Sequence, residues 1–288
     1  MIFTTVGYVA IPVLLAARIL GIPTLLWEGN LVPGRSVRAT ARFASAVAVT
    51  FEATCAALGT ARPCLETGTP IRETRTLERL TARERFGVGP GDRLLLVFGG
   101  SQAVRRFNEA VASVLPQLVA RVHVLHVTGD EAYAPALAAR EALPADLRAR
   151  YQPTPFLREE MAEALAAADL VVGRAGSSTL AEVAAMGLPM VVVPYPHAGN
   201  HQRANALRLA EAGAARLVED AAFDGSALLD AVGILEDPNL HVRMSAAARS
   251  LGRPGAADAV VAMLLALAER RALPTPAEVE RIARGSVV

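Results

Sequence analysis

Hydrophobic residues in this chain fall into short unbroken runs more than into long alternations. Leu94-Leu95-Leu96-Val97-Phe98, Leu170-Val171-Val172 and Met190 to Pro194 are the clearest. Apolar runs of this length, bounded by Gly and Pro, predict strands buried on both faces, as in a parallel sheet. Val122 to Thr128, Tyr151 to Pro155 and Ala215 to Val218 extend the series. Between them the spacing turns helical over Arg106 to Leu118, Met161 to Ala167, Leu180 to Met186 (closed by Gly187) and Asn200 to Ala212 (closed by Gly213). Ser226 to Leu235 and Pro238 to Ser250 are further helices. The long amphipathic stretch Ala256 to Arg271 reads as core packing in preference to a membrane anchor. After Pro274 and Pro276, a short helix over Glu278 to Arg284 is expected to fray.

The first 66 residues follow the same β-α-β logic. Met1 to Thr5 is β-prone, Val9 to Leu20 helical, Pro23 to Trp27 a strand, Arg35 to Ala44 a helix, Ser45 to Thr50 a strand and Leu65 to Thr67 a last short strand. A sheet of three short strands is a small core, so this segment is expected to be part of a domain. Gly68-Thr69-Pro70-Ile71-Arg72 has the residues of a linker.

Composition narrows the function classes. The net charge of +1 and the lack of any Lys/Arg run argue against a nucleic-acid partner. Cys55 and Cys64 lack a second pair or a nearby His for zinc, so free thiols in a reducing cytoplasm are expected. The apolar stretch from Ile11 to Leu26 is interrupted by Arg18 and punctuated by Pro12, Gly21 and Pro23. It reads as neither a membrane span nor a signal peptide. A cytoplasmic protein is expected, with membrane contact confined to its surface.

Three loops follow predicted parallel strands, where open α/β sheets bind ligands. Gly99-Gly100-Ser101-Gln102 lets a backbone approach a phosphate. Gly173-Arg174-Ala175-Gly176-Ser177-Ser178-Thr179 leads from a strand into a helix whose free N–H groups form an anion site, with Glu182 placed for ribose hydroxyls. A capped structural turn is the competing reading of that motif. Pro194 to Asn205 gathers His197, Asn200, His201, Gln202 and Asn205, neutral groups suited to sugar hydroxyls. His197 and His201 also have a metal-ligand spacing, but no carboxylate or Cys stands near them in sequence, and no metal is assigned.

Taken in order, several motifs resemble the MurG family of GT-B glycosyltransferases. They are Gly7-Tyr8-Val9, Gly21-Ile22-Pro23, Glu28-Gly29-Asn30, Gly68-Thr69-Pro70-Ile71-Arg72, Gly99-Gly100-Ser101-Gln102, Phe156-Leu157 with Met161, Arg174-Ala175-Gly176 through Glu182, Gly187-Leu188-Pro189, and His197 through Gln202 and Asn205. The resemblance reaches to about Ala268 and implies two Rossmann-like parallel-sheet domains, the N-terminal one truncated. The implied boundaries are 1–68 for a partial acceptor-side domain, 69–255 for the UDP-sugar domain, 256–272 for a helix packing back on the N-terminal segment, and 273–288 for a tail.

The implied activity is transfer of N-acetylglucosamine (GlcNAc) from UDP-GlcNAc to an undecaprenyl-diphosphate-linked muramoyl-pentapeptide, lipid I to lipid II, on the inner face of the cell membrane. The implied donor-binding residues are these. Leu157 would meet uracil through its backbone. Glu182 would hold the ribose, Ser101 with Ser177, Ser178 and Thr179 would cradle the diphosphate, and Leu180 and Ala181 would also belong to the donor-binding set. Arg72 would lie near the nucleotide, and Gln202 with Asn30 would reach the transferred sugar. No cofactor is implied.

Departures from the family pattern are equally specific. Val6 stands where the family has Gly, Trp27 for its His, Gly29 for its Gln and His201 for its usual Gln. The family's leading Gly-Gly-Thr-Gly-Gly-His loop, whose His is a proposed base, is expected within roughly a hundred residues that would precede Met1. No catalytic base is assigned. A second chain supplying that loop, as in the two-chain eukaryotic dolichol-linked GlcNAc transferase, or a non-catalytic nucleotide-sugar-binding remnant are the alternatives.

Overall fold

The unbroken apolar runs form strands that pair in parallel throughout the described ladders. The structure is a computed structural model that describes residues 1–285 except Val6, Tyr8, 73–77, 101–104 and 198–200. The chain divides into two units, residues 1–71 with 253–288, and residues 72–252.

The first unit opens with β1 (Ile2–Thr4), α1 (Ala10–Ile19), β2 (Thr24–Glu28), α2 (Arg35–Thr40), β3 (Ala46–Val49), α3 (Glu52–Leu58) and β4 (Cys64–Glu66). Its sheet runs β1-β2-β3-β4. That is four strands where three were expected, because Ile2 to Thr4 pairs in register with Thr24 to Leu26 as an edge strand. Alternate residues separate two cores, as a period of two requires. Leu26, Val47 and Val49 pack with Leu14, Val37 and Leu58 of the three helices. Leu25, Ala46 and Ala48 face the other way.

Cys55 and Cys64 are joined in a disulfide, which overturns the expectation of free thiols. The chain leaves α3 through Gly59, in the left-handed region, and returns at once as β4. The two Cα atoms therefore stand 5.8 Å apart, within bridging range. Their sequence spacing alone does not contain that proximity.

The second unit comprises α4 (Arg79–Arg85), β5 (Leu94–Phe98), α5 (Arg105–Arg121), β6 (His123–Val127), α6 (Asp130–Glu141), α7 (Ala145–Arg148), β7 (Tyr151–Thr154), α8 (Met161–Ala167), β8 (Leu170–Gly173), α9 (Ser177–Ala185), β9 (Met190–Val192), α10 (His201–Glu211), β10 (Ala215–Leu217), α11 (Gly225–Glu236) and α12 (Pro238–Leu251). The sheet order is β10-β9-β8-β5-β6-β7. Counted from β5 as the first strand, this is the doubly wound nucleotide-binding order, with its switch point between β5 and β8. Pro153 is tolerated because β7 is an edge strand.

Continuous hydrophobicity has a direct cause here: both faces of the sheet are covered. Leu94, Leu96, Phe98, Val171, Met190 and Val192 enter one core with α8 and α9. Leu95, Val97, Leu170, Val172 and Val191 enter the other with α5 and α11.

The chain then returns to the first unit as α13 (Ala256–Ala268) and α14 (Pro276–Ala283). Val260 and Met263 of α13 cover the open face of the four-stranded sheet. The stretch Pro238–Ala268 is long and apolar enough to cross a membrane by length and composition. However, α12 buries Met244 and Ala248 in the second unit's cores, while α13 packs in the first unit. The closing helix is not frayed as expected. Thr275 and Glu278 form a capping box, Pro276 occupies the first turn, and Val279 and Ala283 are buried against Ala259.

One buried carboxylate organises the amino end of the second sheet. Asp169, directly before β8, accepts from Arg79 Nη2 at 2.7 Å, Arg83 Nη1 at 3.0 Å and the Leu94 amide at 2.8 Å. Arg83 is itself only 4% exposed and also donates to the carbonyls of Ala167, Gly89 and Asp92. Asp169→Ala leaves that guanidinium buried without its carboxylate. A loss of about 3–5 kcal/mol is expected, measured by urea denaturation of the whole chain.

A second buried group makes stability pH-dependent. His126 is 1% exposed, with Nδ1 2.9 Å from the Tyr151 hydroxyl and Nε2 without a partner. Burial pushes its pKa down to about 3. The fold keeps His126 neutral, so below the unfolded pKa near 6.5 only the unfolded state takes up the proton. Stability from this residue is full above that value and declines as pH falls toward 3. Between pH 6.5 and 5, the wild type should lose about 2 kcal/mol more than His126→Gln in parallel denaturation curves.

Candidate functional site

The switch point brings two of the three predicted loops side by side. β5 and β8 are adjacent, with Phe98 opposite Gly173. A Cβ on Gly173 would stand 3.0 Å from the Phe98 carbonyl oxygen, tighter than ordinary contact, so this close approach favours glycine. Gly100 follows β5 in the left-handed region at φ 72°, which turns the chain out of the sheet. The expectation at Ser101 falls outside the described residues.

The loop after β8 enters α9 through Gly176, whose extended backbone makes it the N-cap. No side chain caps this end. The first N–H groups of α9 therefore remain available to an anion, and the helix dipole adds its positive end. Ser177 and Thr179 are half-buried, Ser178 is exposed, Leu180 points into the core, and Ala181 is half-buried.

Glu182 sits in the second turn of α9 with its side chain 12% exposed. Arg72 Nε donates to Glu182 Oε1 at 3.1 Å, and Arg72 Nη1 donates to the Arg158 carbonyl oxygen at 2.6 Å. Leu157 precedes Arg158 and packs partly buried against the core below α8. The second unit thus gathers Arg72, Leu157 and Glu182, from positions far apart in sequence, around one end of α9. Burial pushes the Glu182 carboxyl up from its ordinary value, and the Arg72 guanidinium pulls against that rise.

The third loop leaves β9. Val193 donates to the Gly173 carbonyl at 2.9 Å, so the ladder continues one residue past the strand. Gln202, in the first turn of α10, accepts from the Tyr195 amide at 2.9 Å. His197 packs edge-on to the Tyr195 ring at 5.4 Å between centroids. Among the described residues, no three His, Cys, Asp or Glu side chains gather as a metal-binding group.

Asn30 belongs to the first unit, at the carboxyl end of β2. Its amide and its side-chain Nδ2 both donate to Glu28 Oε1, at 2.8 and 3.0 Å. Thr54 of α3 donates to the carbonyls of Asn30 and Leu31. Glu28, 5% exposed, is the buried anchor of this turn. Sequence reading treated it only as a turn residue.

Sequence reading also missed the residues that hold the crevice. Arg174, 7% exposed, pairs with Asp220 at 2.6 Å, and Arg106 approaches the other oxygen of the same carboxylate at 3.2 Å. The Arg174 guanidinium lies over the rings of Phe107 and Tyr195. An Arg directly after a buried strand is a signal legible in sequence; its partner 46 residues on is not.

This architecture recurs in known proteins. Residues 94–260 match the model of the glycosyltransferase family 28 C-terminal domain. The chain is 41% identical over 278 residues to the UDP-N-acetylglucosamine–N-acetylmuramyl-(pentapeptide) pyrophosphoryl-undecaprenol N-acetylglucosamine transferase of Frankia casuarinae, covering 93% of this chain and 72% of that protein. It is also 41% identical over 275 residues to the Moorella thermoacetica protein of the same name, covering 92% and 73%. Among solved structures, Acinetobacter baumannii MurG superposes with a TM-score of 0.71 at 32% identity, over 90% of this chain and 72% of that one. The S. aureus MnaA–UDP co-structure, at 12% identity and a TM-score of 0.64 over 89% and 72%, shares the fold alone. With two parallel-sheet units and a family match spanning more than half its length, the chain belongs to glycosyltransferase family 28.

Proposed function

We infer that this chain binds UDP-GlcNAc at the β5–β8 switch point. It transfers GlcNAc to a polyprenyl-diphosphate-linked muramoyl-pentapeptide, the step from lipid I to lipid II. The observation that carries this reading is the Glu182 carboxylate, 12% exposed and one turn beyond an uncapped helix N-terminus. A carboxylate there accepts from two vicinal ribose hydroxyls, while the amide end of α9 takes the diphosphate. The named relatives supply the acceptor class.

Charge develops on the leaving UDP as the glycosidic bond breaks. The N–H groups at the start of α9, with the hydroxyls of Ser177, Ser178 and Thr179, stabilise that charge without reorganising. Arg72, paired with Glu182, would be released when a ribose takes that carboxylate. Leu157 offers backbone groups to uracil, and Gln202 offers its side-chain amide to the sugar. The acceptor hydroxyl needs a general base, which these residues do not identify. The acceptor's lipid favours a peripheral position on the inner membrane face. α1 exposes Val9, Ile19 and Leu20 beside Arg18, a composition suited to such a surface.

Glu182→Ala should weaken UDP-GlcNAc binding more than tenfold by calorimetry, the loss expected for a charge-assisted hydrogen-bond pair of about 1.5–3 kcal/mol. Equal affinity in the two proteins would remove the ribose assignment. Because binding uses the ionised carboxyl and burial raises its pKa, affinity should fall on the acid side at a higher pH than for an exposed Glu. Glu182→Gln should bind more weakly and show a flat profile over the same range.

A further inference from the structure

Arg174 is a charged side chain in a place that favours apolar ones. It is 7% exposed, directly after the central strand β8, and lies outside the set of residues assigned to the donor. Its guanidinium stacks near two rings and bonds through Nη1, while Nε is buried without a partner among the described residues. Phe107 of α5 lies against it, 4.9 Å from the ring centroid, and Tyr195 of the β9 loop lies against it at 5.4 Å. In the guanidinium plane, Nη1 donates to the carbonyls of Val193 and Pro194 at 3.2 and 3.3 Å and to Asp220 Oδ1 at 2.6 Å.

These contacts converge on one short segment. Residues 193–195 are held by Arg174 through two carbonyls and one ring, and the Tyr195 amide then donates to Gln202 Oε1 at 2.9 Å. Gln202 has a single side-chain oxygen, and this bond fixes which way its amide faces. The same Tyr195 ring carries His197 on its edge. The route from Arg174 to the sugar-side amide therefore passes through one residue, Tyr195. On the nucleotide side, Glu182 of α9 is held by Arg72.

We propose that Arg174 is a positioning residue for the hexose. Stacked against two rings and bonded to the 193–194 backbone, it sets the orientation of Gln202 through Tyr195, and so governs which sugar is accepted more than how tightly the nucleotide is held. The proposal rests on the UDP-GlcNAc reading above. A planar guanidinium suits the site because it stacks on the rings while Nη1 bonds the carbonyls and Asp220; a lysine ammonium supplies the charge but not the plane.

The test compares binding of UDP, UDP-GlcNAc and its C4 epimer UDP-GalNAc by calorimetry. The proteins are the full chain and its Arg174→Lys, Gln202→Ala and doubly substituted forms. Orientation of a hydrogen-bonding amide reads hydroxyl stereochemistry. The wild type should therefore prefer UDP-GlcNAc, and Arg174→Lys should cut that preference at least fivefold while changing UDP affinity less than threefold. In the Gln202→Ala background, Arg174→Lys should leave the epimer ratio unchanged, since both act through one group. Tyr195→Leu, which keeps the 195 amide and removes the ring, should lower the ratio in the same direction and provides the test if Arg174→Lys fails to fold. An unchanged epimer ratio in folded Arg174→Lys or Tyr195→Leu would overturn the proposal. So would an equal loss of UDP and UDP-GlcNAc affinity, or a further drop in the Gln202→Ala background. A wild type that binds none of the three ligands would instead overturn the donor reading itself, and the proposal with it.

Discussion

The second unit depends on holding β8 at both ends. This strand is the middle of the sheet and one wall of the switch point. Its four residues are buried, and the residues directly before and after it are both charged and buried, Asp169 and Arg174. Charges in such positions are costly unless paired and hydrogen-bonded. Asp169 meets Arg79, Arg83 and the Leu94 amide; Arg174 meets Asp220 and two carbonyls. Each group ties β8 to elements distant in sequence. Neither hydrophobic core does this alone, since apolar contact is non-directional. The cores supply the bulk of the burial, and the two ionic clamps specify where the ends of the strand lie.

That division of labour explains where chemistry is possible. The central strands β5, β8 and β9 are apolar along their length because α-helices cover both faces, and the His126–Tyr151 pair is buried beside them in β6 and β7. Function is confined to the carboxyl ends of the strands, where loops leave a rigid frame. At the switch point, α5 and α9, which follow β5 and β8, pack on opposite faces of the sheet. Glycine at 173 permits the close approach of the two strands just below it.

The Glu182 carboxylate is largely desolvated and paired with Arg72, so on the proposed reading a donor must supply hydrogen bonds good enough to replace that partner. A ribose with two vicinal hydroxyls would do so; a ligand lacking them would leave a buried carboxylate poorly satisfied. Discrimination of this kind comes from the penalty on the wrong ligand as much as from attraction to the right one.

Much of this was legible in the chain itself. Unbroken apolar runs such as Leu94 to Phe98 and Leu170 to Val172, too short for helices and closed by Gly, point to parallel strands covered on both faces. Gly-rich turns between such strands and helices mark ligand loops, and the order of motifs from Glu28-Gly29-Asn30 to Asn205 determines the family. Tertiary structure alone decided the rest. Ile2 to Thr4 became a fourth strand only by pairing with β2, and Cys55 met Cys64 only because α3 folds back onto β4. The tail helix carries a local capping box, but its packing against Ala259 of another helix is not encoded locally. Likewise Arg174 finds Asp220, and Arg72 finds Glu182, across 46 and 110 residues. Local sequence sets which residues prefer helix, strand or turn, through backbone sterics and the period of burial. Which distant charges share one dielectric pocket depends on where the whole chain places its strand ends.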